Sequence, residues 1–85
     1  MNKAELLKKH NPSDIRWIIE DMIESHNNCV VIDFLGWGDC LNTVDVYATV
    51  KVKYRETNEV CQSDIVLDPS EINDKLKELY QSEEC

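Results

Sequence analysis

The chain contains no Cys-x-x-Cys pair, no glycine-rich phosphate loop and no apolar run near the roughly 18 residues that a bilayer span requires. Each absence closes a class of function. Cys29, Cys40, Cys61 and Cys85 stand at wide, irregular spacings that match neither a zinc site nor a redox motif, and a metal set drawn from Cys29, Cys40 and His26 lacks ligand spacing. Only two glycines and two prolines occur in 85 residues, too few for a low-complexity or disordered chain. Met1-Asn2-Lys3-Ala4-Glu5 lacks the apolar core of a signal peptide, so a cytoplasmic protein with reduced thiols is expected. Cys29 and Cys61, inside predicted strands, are expected to act as small core hydrophobes, and the terminal Cys85 to be exposed. His10 and His26 fall at helix ends, and no His-Cys or Ser-His arrangement accompanies them. The plentiful carboxylates lie on exposed helix faces, where nothing pairs two of them in a cleft. The expectation is a protein that is not an enzyme and uses no cofactor and no metal.

Basic residues are scarce as well. Seventeen acids against nine bases leave a net charge of -8, which repels nucleic acids and anionic membranes at long range. The same charge suits a protein partner with a basic surface, including a nucleic-acid-binding enzyme whose groove expects phosphates, and it also serves plain solubility.

What is present is organised around residues 44 to 54. Val44, Val46, Ala48, Val50, Val52 and Tyr54 alternate with Asp45, Tyr47, Thr49, Lys51 and Lys53, the period-2 pattern of a half-buried strand. This stretch exceeds the usual strand length of about 5 to 6 residues, which marks it as the central strand and implies a bend or overhang.

Before it, Asn2 with Glu5 makes a capping-box pattern that opens a short helix over 2–10. Such a helix is too short to stand alone, so Leu6 and Leu7 must dock on something. Asn11 as cap, Pro12 at the first helical position and Asp14 near the positive end of the dipole then start a helix over 12–26. Ile15, Ile18, Ile19, Met22 and Ile23 give it one apolar face, and an Asn is available for a left-handed cap at its end. Residues 29 to 35 predict the first strand, with Val30, Ile32 and Phe34 on one side. Gly36-Trp37-Gly38-Asp39 predicts the turn that follows, its glycines permitting positive φ. After a polar turn over 55–59, residues 60 to 67 predict a third strand with Cys61, Ser63, Ile65 and Leu67 on one face. Asp68-Pro69-Ser70-Glu71 repeats the helix-start logic, and Ile72, Leu76, Leu79 and Tyr80 form the stripe of a helix over 69–81, with Gln81 to Cys85 expected to fray.

The expected fold is a single α+β domain over 1–85, in the order α-α-β-β-β-α. The strands over 29–67 form a three-stranded antiparallel meander with helices packed on one face. Ile15, Ile18, Ile19, Met22, Ile72, Leu76 and Leu79 should pack on the sheet face carrying Val46, Ala48, Val50 and Val52.

Two tryptophans break the patterns. Trp17 points away from the isoleucine stripe, among Glu20, Asp21 and Glu24. Either Leu6 and Leu7 fold over it, or it is an exposed aromatic anchor in an acidic ring, the composition of a hot spot for a basic partner. Trp37, beside Asp39, either curls back onto the core or stands out as a second anchor. A third surface, Tyr47 with Lys51, Lys53 and Arg55, suggests RNA, but Asp45, Asp64, the net charge and the missing neighbouring aromatics oppose it. Cross-strand ion pairs to Asp64 or Asp33 are the expectation there.

These features favour a small acidic, non-enzymatic protein-binding module acting as inhibitor or adaptor. Its sharpest form, resting on size and charge, is a phage-type inhibitor of a nucleic-acid-binding defence enzyme, of the anti-CRISPR or anti-restriction class. One alternative is a homo-oligomeric structural subunit, in the simplest case a homodimer, that completes a thin core through the free sheet face. A small enzyme or metal-binding protein is the third.

Overall fold

A computed structural model describes residues 2–83, with 80–83 by backbone only. The expectations of an exposed Cys85, of the Tyr80 side chain in the apolar stripe and of fraying at 84 and 85 lie outside the described residues, whereas 81–83, also expected to fray, continue the last helix to Glu83. The elements follow in the order α1 (Lys3–Lys9), α2 (Pro12–His26), β1 (Cys29–Asp39), β2 (Val46–Tyr54), β3 (Val60–Leu67) and α3 (Pro69–Glu83). The three strands form one antiparallel sheet in the order β1-β2-β3, so the fold is the expected α+β arrangement. Among the described residues no helix is long and apolar enough to cross a membrane.

Side-chain caps start all three helices. Asn2 accepts from the Glu5 amide, Asn11 from the Ser13 amide and Asp68 from the Ser70 amide, each at 2.9 Å, which satisfies donors that a helix leaves orphaned at its start. The end of α2 differs from expectation. Asn27 is not left-handed (φ -133°); its backbone N–H and its side-chain Nδ2 both donate to the Ile23 carbonyl at 3.1 Å. The left-handed position falls instead at Asn58 (φ 60°) in the β2–β3 turn, where the Asn58 and Tyr54 amides bond to Tyr54 and Glu59 carbonyls.

The core lies between the helices and one face of the sheet. Ile15, Ile18, Ile19, Met22, Ile23, Ile72 and Leu76 pack there with Leu6, Cys29, Val46, Ala48, Val50, Val52 and Leu67. Leu79 is only half-buried. Three further differences from the sequence pattern have local causes. Val44 belongs to the loop, 80 % exposed, because the ladder begins at Asp39–Val46 and a bond from the Cys40 amide to the Asp45 carbonyl closes the hairpin outside it. Tyr54 and Cys61, at the turn end of the sheet, are exposed even though they share the parity of the buried positions.

The third difference is in β1, which does not turn at Gly36 but runs on to Asp39, with neither glycine at positive φ. Its register against β2 shifts twice, between Val31 and Asp33 and between Phe34 and Gly36. Each shift inserts one residue and swaps the faces. The residues packed on the core side are therefore Cys29, Val31, Phe34 and Trp37, while Val30 and Ile32 stay exposed. Gly38 has a packing role: it sits opposite Tyr47, and a Cβ there would come within 3.3 Å of the Tyr47 hydroxyl oxygen.

Candidate protein-binding surface

Helix α2 presents its isoleucines to the core, which leaves Arg16, Trp17, Glu20, Asp21 and Glu24 on its outer surface. The structure divides this group. Arg16 Nε donates to Glu20 Oε1 at 3.2 Å, and the Arg16 guanidinium lies over the Phe34 ring at 5.2 Å, so Glu20 belongs to a contact along the β1 side. Glu24 accepts the Val31 amide at 2.9 Å with Oε2, covering a donor of the bulged edge strand. Trp17 and Asp21 turn the other way. With Ile18 they form one wall of a shallow groove whose second wall is Lys75, Glu78 and Leu79 of α3.

Trp17 is 54 % exposed. Leu6 does not cover it: Leu6 is fully buried in the core, and Leu7 stays exposed. Helix α1 is held elsewhere, by His10 Nε2 at 2.9 Å from Asn73 Oδ1 and by Lys3 at the far end of β1.

The second pair, Trp37 and Asp39, forms that far anchor. Trp37 lies within β1 opposite Ala48, half-buried against the core. Lys3 Nζ donates to the Trp37 carbonyl at 2.8 Å and sits 4.9 Å from the ring centroid, while Asp39 Oδ1 accepts the Lys3 amide at 2.8 Å. Trp37 is thus not an exposed anchor on a hairpin tip; with Asp39 it docks α1.

On the outer sheet face, Asp64 accepts from Thr49 Oγ1 at 2.6 Å, and Asp33 sits opposite Lys51 in register. Among the described residues neither Asp64 nor Asp33 forms the expected cross-strand ion pair; the Arg16–Glu20 pair lies on α2 instead. The α3 wall of the groove was not legible from sequence. Lys75 and Leu79 share one α3 face by their i, i+4 spacing, but nothing local says that this face meets Trp17.

The cysteines do not converge. Cys29 and Cys40 sit at opposite ends of β1, roughly 35 Å apart along an extended strand, which disperses the trio of Cys29, Cys40 and His26. Cys61 is two strands from Cys29 and offset from it by two residues along β2, roughly 12 Å away and beyond disulfide reach. Burial, reinforced by the Glu24 carboxylate and partly offset by Arg55, pushes the Cys29 thiol up. Peptide-resolved alkylation at neutral pH should therefore label Cys61 fast and Cys40 next, with Cys29 reacting only on unfolding. Rapid labelling of Cys29 in the folded protein would contradict its place in the core.

No family model, curated protein or solved structure matches this chain.

Proposed function

We propose that this protein is an acidic, non-enzymatic protein-binding module, an inhibitor or adaptor, that docks on a basic partner through the α2–α3 groove around Trp17. The observation that carries this reading is the indole itself. It stays more than half exposed on a well-packed helix, beside Asp21 and in a groove shared with Glu78, although α1 is close enough to bury Leu6 in the same core. Trp is the residue type most enriched among interface anchors, and a charge of -8 steers the protein towards basic surfaces. A nucleic-acid-binding enzyme, with lysines and arginines lining its groove, is the partner class that suits this charge best. In its sharpest form the module is a phage-type inhibitor of such a defence enzyme, of the anti-CRISPR or anti-restriction class.

The test measures DNA cleavage by a panel of restriction and RNA-guided nucleases in the presence of the protein, then follows binding to any enzyme it inhibits. Trp17→Ala should raise Kd about 30-fold or more, mainly by faster dissociation, the effect of losing roughly 2 kcal/mol at a hot spot. Asp21→Lys should slow association and flatten its salt dependence. Folding stability should move by less than about 0.5 kcal/mol in both, since neither side chain is in the core. Binding that ignores Trp17 would place the contact elsewhere on the molecule.

A further inference from the structure

The two edges of the sheet are treated differently. On β1 two of the outward backbone groups are occupied, the Val31 amide by Glu24 and the Trp37 carbonyl by Lys3 Nζ, and two bulges distort the strand. Bulges and charged coverings are the usual means of blocking strand addition. Strand β3 has no register shift, no proline and no basic residue, and Val60, Cys61, Gln62, Asp64 and Val66 are all exposed. It is a straight, nearly uncharged edge on a protein of charge -8.

Which backbone groups face outward follows from the ladder. The Tyr54 amide donates to the Glu59 carbonyl at 2.9 Å, so odd-numbered positions of β3 bond to β2. Val60, Gln62, Asp64 and Val66 direct their N–H and C=O groups to the free side. We propose that β3 is a homodimerisation edge, where two copies of this chain pair β3 antiparallel about a two-fold axis at Ser63 and join their sheets into one of six strands.

The side chains select that register. A two-fold axis at Asp64 would set its carboxylate against that of the second copy, and an axis at Gln62 would set Asp64 against Val60 and leave Val66 unpaired. With the axis at Ser63, Val60 faces Val66 of the second copy, Gln62 faces Asp64, Cys61 faces Ile65 and Ser63 faces Ser63. Every pair is apolar with apolar or donor with acceptor, as an isologous interface requires. The β3 edge shares no residue with the Trp17 groove, so either proposal can fail without the other. Their salt responses are also opposite: screening the repulsion between two copies of charge -8 tightens the dimer, while it weakens docking on a basic partner.

A single edge buries little area, so sedimentation equilibrium should find a monomer–dimer equilibrium with Kd between about 10 μM and 1 mM. Gln62→Lys sets an ammonium opposite Asp64 at two symmetric places and should tighten the dimer, while Gln62→Glu should loosen it, each by about 2- to 30-fold. In a Cys40→Ser, Cys61→Ser, Cys85→Ser background, Ser63→Cys should form a disulfide-linked dimer on mild oxidation. The two thiols would sit on a non-hydrogen-bonded pair with Cα atoms about 4.5 Å apart. Gln62→Cys in that background should not cross-link, since its two copies lie beyond the roughly 7 Å that a disulfide spans. A monomer throughout, up to about 1 mM, overturns the proposal. So does a dimer indifferent to the charge at position 62, or equal cross-linking from positions 62 and 63.

Discussion

Val50→Asp should abolish folding. Val50 is fully buried at the middle of β2, between Phe34 of β1 and Ser63 of β3 and beneath the helix layer. A carboxylate there loses its water and gains no cation. The cost is several kcal/mol against a total stability of about 5 to 10 for a domain this small. Circular dichroism and thermal melting read the result directly. Lys53→Asp is the control, because three residues along the same strand the side chain points to water between Val30 and Val60, and the expected change is about 0.5 kcal/mol. A Val50→Asp variant that melts like the parent would mean that the sheet faces are reversed, the outcome of a one-residue slip in register.

The second large effect is expected at Leu6. Helix α1 is too short to persist by itself, yet its Leu6 side chain is fully buried beside α2 and α3. Leu6→Ala should cost about 3 kcal/mol in a denaturant melt, and deletion of residues 1–10 a comparable amount, since the Lys3 contacts to Trp37 and Asp39 go with it. Trp17→Ala should leave the same melt almost unmoved. The contrast separates a side chain that holds the fold from one that is free to hold a partner. A loss at Trp17 matching that at Leu6 would place the indole in the core and remove the basis of the proposed interface.

The elements that the sequence determined by itself are those whose signal is local. The Val46, Ala48, Val50, Val52 alternation and the isoleucine spacing of α2 follow from the side-chain geometry of a strand and a helix, and the Asn2, Asn11 and Asp68 caps bond to amides two or three residues away. No distant contact is needed to specify any of them. The acidity and the anomaly at Trp17 were legible for the same reason, as a charge sum and as a break in a periodic pattern.

Tertiary structure alone decided what covers what. In β1 the residues Val30, Val31, Ile32, Phe34 and Leu35 are all apolar, so hydrophobicity could not say which of them meets the helices. Two bulges, set by pairing with β2, turned Val31 and Phe34 inward and left Val30, Ile32 and Leu35 outside. Gly36 and Gly38 looked like a turn because glycine permits one, but the ladder to Thr49 and Tyr47 carried the strand straight through. Leu6 and Leu7 are identical in chemistry, and only the direction from which α1 meets α2 and α3 buried the first and exposed the second. That same docking left Trp17 uncovered, while Arg16 and the Val31 amide of β1 drew Glu20 and Glu24 away from Asp21. Burial belongs to a residue's place among distant neighbours, and neither its type nor its position along the chain contains that information.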